Sequence, residues 1–133
     1  MKTLLAAVIL WAMQQTDPSG YITVSPDRLS MNPSEYVGVP IKLKCRFLKE
    51  DSTWLDDSGV FKSSDQYIGL VVQAGERIFA QLFYPRRQSG QIERLESNDR
   101  LIIYGRVFSA RYNFPWIEID KFSEGWVVGE EPE

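Results

Sequence analysis

Two short runs of this sequence carry side chains suited to binding. Lys42, Lys44 and Arg46 alternate with Ile41, Leu43, Cys45 and Phe47, and Phe79, Gln81 and Phe83 alternate with Ile78, Ala80 and Leu82. On an extended chain successive side chains point to opposite sides. The first run therefore offers three cations on one side, and the second offers two rings and an amide. Cations hold anionic groups, and rings stack on bases or sugars. Equipment for catalysis is sparse. The chain has no histidine, the commonest general base and zinc ligand. Its single cysteine, Cys45, falls on the apolar side of its run, where an inert buried thiol is expected. There is no phosphate-cradling glycine loop and no dinucleotide fingerprint. Asp56-Asp57, and Glu118 with Asp120, are carboxylate pairs of the kind used in glycoside hydrolysis or calcium binding. Glu118 and Asp120 read better as solvated charges on a strand face, and Asp51, Asp56 and Asp57 are too few and irregular for a calcium loop. The expectation is a protein that binds without catalysing, with no cofactor and no metal.

The elements that must position these residues are mostly strands. Residues 41–47 alternate without a fault, which predicts a strand with a core face and a basic face. Residues 67–74 and 77–84 are two more β runs around Gly75-Glu76, the length of a two-residue hairpin turn. Residues 91–96, with Ile92 and Leu95 three apart, predict a short helix stopped by Ser97-Asn98-Asp99. A fourth strand spans 101–108, with Leu101, Ile103 and Val107 inward and a bulge or bend at Gly105. A fifth spans 116–122, with Ile117 and Ile119 inward. Residues 16–39 read as an extended arm with one edge strand around Tyr21–Val24 and a short helical turn from Asn32 to Gly38. In that turn Asn32 is placed to cap, Pro33 to start and Gly38 to close.

The ends differ from this body. Lys2 precedes ten apolar residues, Leu4 to Met13, and polar Gln14, Gln15, Thr16 and Asp17 follow. That is the layout of a secretory signal peptide over residues 1–15, which predicts an exported protein, periplasmic or secreted, from a bacterial source. An uncleaved anchor and an N-terminal core helix are the competing readings; the run is too short for a stable membrane span. Residues 40–112 hold 12 basic against 9 acidic side chains, whereas 113–133 hold one base against six acids. A mildly basic body suits an anionic ligand but lacks the dense positive field of a strong nucleic-acid binder. The acidic end, residues 126–133, is expected to be disordered.

Five strands with a short helix between the third and fourth resemble the OB-fold, a small Greek-key barrel. The most specific stretch is Ile92-x-x-Leu95, then residues 98–107 from Asn98-Asp99 through Gly105, then Pro115-Trp116-Ile117-Glu118-Ile119-Asp120-Lys121-Phe122. The entry from Asn32 to Phe47 is similar to that of the bacterial tRNA_anti-like OB families. The resemblance covers about residues 32–122, with the barrel proper at 40–125, and a different small barrel or sandwich is the alternative. It implies an all-β binding platform that uses the outer face of its second and third strands with the flanking loops. On this chain the implied contacts are Lys44, Arg46, Tyr67, Gln73, Phe79, Gln81, Phe83 and Arg106. The implied partner is a protein or an envelope oligosaccharide, with single-stranded nucleic acid as the alternative. A competing expectation is that one of the chain ends covers those aromatics.

Overall fold

The computed structural model describes residues 20–55 and 64–125. The expected signal peptide at 1–15, the pair Asp56-Asp57 and the acidic end at 126–133 lie outside the described residues. The described residues form six strands: β1 (Ile22–Thr23), β2 (Pro40–Glu50), β3 (Tyr67–Ala74), β4 (Arg77–Pro85), β5 (Arg100–Ser109) and β6 (Trp116–Glu124). They run in the order β1-β2-β3-β4-β6-β5, and β2 also pairs with β5. That second pairing closes five strands into an all-β Greek-key barrel of OB type, with β1 added in parallel on β2.

Each strand forms for the reason its pattern suggests. Ile41, Leu43, Cys45 and Phe47 of β2 face the interior, opposite Leu101 and Ile103 of β5. Gly75 takes φ +61° in the hairpin turn between β3 and β4, a conformation costly for other residues. Gly105 sits at a register shift between β5 and β6, where an added Cβ would collide with the Glu118 carbonyl. The main core joins Leu70 and Val72 of β3, Leu82 and Tyr84 of β4, and Ile117 and Ile119 of β6.

Two elements depart from expectation. The stretch before Asn32 is not extended throughout: Pro26–Met31 form a helix, α1, that buries Leu29 in the core. The Ser25 hydroxyl accepts from the Arg28 amide, and Pro26 occupies the first turn. Asn32 does not cap the following 3₁₀ turn (Pro33–Tyr36) with its side chain; its amide instead closes α1 on the Arg28 carbonyl at 2.9 Å. The second helix, α2 (Gly90–Glu93), is shorter than predicted yet buries Ile92 against the core, with Leu95 packed beside it.

Candidate functional site

Phe79 and Phe83, expected to share an outward binding face, are both buried, at 2% and 0% exposure. The cause is a bulge. Leu70 pairs with Leu82 but Val72 pairs with Phe79, so Ala80 and Gln81 together oppose Val71. One extra residue reverses which side the chain presents. Phe79 therefore joins the main core beside Leu82, while Phe83 stays on the outer side of the barrel. Gln81 lies at the bulge, half-buried.

Phe83 is buried because that outer side has a core of its own. Leu55, Phe83 and Trp116 form it, with Trp54, Tyr67 and Phe108 around them. Rings meet edge to face: Trp54 lies 5.3 Å from Phe83 and 5.8 Å from Trp116, and Phe108 lies 5.3 Å from Phe83. The segment Asp51–Leu55 is held down on β3 by two bonds. The Asp51 amide donates to the Gly69 carbonyl at 2.8 Å, and the Gly69 amide donates to the Ser52 hydroxyl at 3.0 Å. Only glycine fits there, since a Cβ on residue 69 would strike the Asp51 carbonyl oxygen. Tyr67 completes the layer by donating to the Glu118 carboxylate at 2.6 Å. Among the described residues, the connection after β2 supplies this cover.

The remaining predicted residues lie on another part of the wall. Lys44 and Arg46 of β2 point outward, and Arg46 stands directly between Gln73 of β3 and Arg100 of β5. Further along, Lys42 faces Tyr104, which faces Lys121 of β6; the two ammonium groups lie 5.7 and 5.1 Å from the Tyr104 ring centre. Arg106 lies one step on, opposite Pro40 and Glu118. Neighbouring strands are ~4.8 Å apart, so Lys42, Lys44, Arg46, Arg100, Arg106 and Lys121 share one mainly cationic side of β2, β5 and β6, with Glu118 across from Arg106. Of the residues on this side, sequence reasoning named Lys44, Arg46 and Arg106 as candidates and did not name Arg100, Tyr104 and Lys121. The alternation of Leu101, Ile103 and Val107 already put Arg100, Tyr104 and Arg106 on the outward side.

Tyr21, just before β1, covers the edge of this face. Its ring meets Tyr104 at 5.2 Å, and its hydroxyl donates to Asp120 at 2.8 Å. Partial burial, with the Asp120 carboxylate beside it, pushes the Tyr21 hydroxyl pKa up. Beyond β5, the turn Arg111–Asn113 displays Tyr112 and Phe114 at 64% and 48% exposure. Its left-handed Tyr112 and Asn113 are braced by the Trp116 indole, which donates to the Arg111 carbonyl at 2.6 Å. Among the described residues there is no group of three or more His, Cys, Asp or Glu side chains arranged to hold a metal ion. No helix among them is long and apolar enough to cross a membrane.

No protein-family model matches this chain, and no curated protein matches its sequence. Among solved structures it is similar to a chain of a replication protein A heterotrimer bound to single-stranded DNA, at 9% identity and a TM-score of 0.47. The match covers 68% of this chain and 61% of that one, so less than two thirds of the relative's length is represented. The strand order and barrel closure, and not this likeness, carry the fold assignment.

Proposed function

We propose that this chain is a non-catalytic binding module, working outside the cytoplasm, that takes an acidic segment of a protein partner on the outer face of β2, β5 and β6. The observation that carries this reading is the cross-strand pair Arg46–Arg100 with Lys44 next to it. Cross-strand pairing brings the two arginines side by side on one stretch of the outer surface. Arginine offers a carboxylate charge-assisted hydrogen bonds in a two-pronged geometry. An envelope glycan bearing acid groups presents the same chemistry. The export part rests on the composition of residues 1–15. Kinship with the tRNA_anti-like OB families rests on the motifs of residues 32–47 and 92–122 alone, while the strand order supports the OB fold in general. The burial of Phe79 and Phe83 supports putting the working face on β2, β5 and β6 and not on the side expected of an OB barrel.

A second reading, single-stranded nucleic acid, is favoured by one specific feature. Tyr104 between Lys42 and Lys121 pairs a stacking ring with two phosphate-binding cations. Fluorescence anisotropy with a labelled oligoglutamate peptide and a labelled oligothymidylate, each at low and high salt, separates the two. The peptide binds at low salt, and Arg46→Ala with Arg100→Ala weakens it about tenfold, ~1.4 kcal/mol. Arg87→Ala, outside this face, leaves it unchanged. Absence of peptide binding, or an equal loss from Arg87→Ala, overturns the reading. Tighter binding of the oligothymidylate, lost in Tyr104→Ala, transfers the function to nucleic acid.

A further inference from the structure

The five large hydrophobic side chains that stand exposed among the described residues lie at one end of the barrel. They are Met31, Val37, Ile78, Tyr112 and Phe114, at 45% to 64% exposure. The topology gathers them. β2 begins where β5 ends, since Pro40 pairs with Arg106 in antiparallel register, and β6 begins there too. β4 runs parallel to β6, so Ile78, four residues before the Leu82–Ile117 pair, lies at that end. Val37 bridges to Val107 near the end of β5. The Arg77–Asp27 ion pair, at 2.9 Å, ties α1 and its Met31 to the start of β4. The opposite end, where α2 follows β4, exposes no large hydrophobic side chain among the described residues. We propose that this end of the barrel docks on a lipid bilayer, with Tyr112 and Phe114 leading into the membrane–water boundary.

Shape, chemistry and tethering name the bilayer as the occupant. The five side chains project from four separate segments, which suits a broad surface and not an inserted peptide. Tyrosine settles at the membrane–water boundary, and the other four side chains suit the apolar layer beneath it. The charges of these segments cancel, Arg28, Arg77 and Arg111 against Asp27, Glu35 and Glu76, so the contact is apolar. The turn holds its rings outward at a cost. Tyr112 and Asn113 keep a left-handed backbone that non-glycine residues rarely adopt, with the Arg111 guanidinium 5.0 Å from the Tyr112 ring centre. The chain also enters the barrel here, because Gly20 leads into β1 and Ile22 pairs with Ile41 at the start of β2. The apolar run Leu4–Met13 ends seven residues before Gly20, ~23 Å of extended chain. Whatever brings that run to a membrane brings this end of the barrel with it.

The test uses the full chain with one added cysteine carrying a polarity-sensitive dye. Met31→Cys places the dye at this end, and Glu93→Cys places it on α2 at the other. Buried Cys45 takes no dye. Phosphatidylcholine vesicles are added at high salt, which screens the cationic face. The emission of the dye at residue 31 moves to the blue, and that of the dye at residue 93 does not. Tyr112→Asn with Phe114→Ser removes only exposed rings and keeps a residue that tolerates the left-handed backbone. It raises the vesicle concentration needed for half the shift about tenfold. An unmoved dye at residue 31, equal movement at both sites, or a shift indifferent to the double substitution overturns the inference. A shift that appears without vesicles and grows with protein concentration also overturns it, since this end then meets a second copy of the chain.

Discussion

Phe79 and Phe83 stand four apart on one strand, yet they fill different cores. Phe79 packs among Leu82 and Val72 inside the barrel, and Phe83 packs under Trp54 and Trp116 outside it. Removing either ring leaves a cavity in a fully enclosed layer. Phe79→Ala and Phe83→Ala should each cost about 3–5 kcal/mol in denaturant unfolding. A cost below about 1 kcal/mol for either would show that its ring is not enclosed. Cys45 illustrates the same burial in chemical form. Its side chain is fully inside the barrel, and burial pushes the thiol pKa far up, so the reactive thiolate does not form near neutral pH. An aromatic disulfide reagent should leave Cys45 unmodified in the native chain and label it once in denaturant. Prompt labelling of the native chain contradicts that placement. The inert thiol was legible from the alternation of residues 41–47 alone. The fate of Phe79 was not, because strict alternation cannot register one inserted residue, and Ala80-Gln81 carries no glycine to mark a bulge.

At the scale of elements, local signals were sufficient wherever the controlling contacts are local. The fault-free period of β2, the Gly75 turn and the irregularity at Gly105 all appear where the residue types demand them. The capping signals of Ser25, Pro26 and Asp27 were also present, but α1 is short and its one apolar anchor, Leu29, gives little periodicity. The cover over Phe83 depends on a long-range fit: Asp51–Leu55 can lie on β3 only because residue 69 lacks a side chain. Nothing in residues 51–55 names that partner. Gly69→Ala should lift this segment, seen as a red shift of tryptophan emission, and unchanged emission would contradict the fit. Asp51 makes the same segment pH-sensitive. Hydrogen bonds from the Thr53 hydroxyl and amide hold its carboxyl below the usual carboxylate range. A lowered folded-state pKa contributes stability that is present above the unfolded-state value and lost as pH falls through the folded one. The tryptophan emission should therefore change on the acid side of the ordinary carboxylate range, and Asp51→Asn should diminish that change. An acid transition of undiminished size in Asp51→Asn would assign it to another group.

Across the whole molecule, a barrel wall has more than one outer face, and packing decides which is available. The aromatic side over β3 and β4 is covered by the segment after β2, while the outer side of β2, β5 and β6 carries six cations, two of them at the Tyr104 ring. The basic body was legible as an excess of cations over residues 40–112, but which of them share a side of the barrel required the register of β5 against β2 and β6. If the cationic wall holds the partner, the covered aromatic wall stays silent when that partner arrives. Backbone amide mapping by NMR during titration with the oligoglutamate peptide distinguishes the two walls in one experiment. The largest shifts should fall on residues 42–46, 100–106 and 121, with β4 signals from Phe79 to Phe83 unmoved. Shifts concentrated on Tyr67, Phe83 and residues 51–55 would put the partner on the aromatic side and refute the assignment of the cationic face.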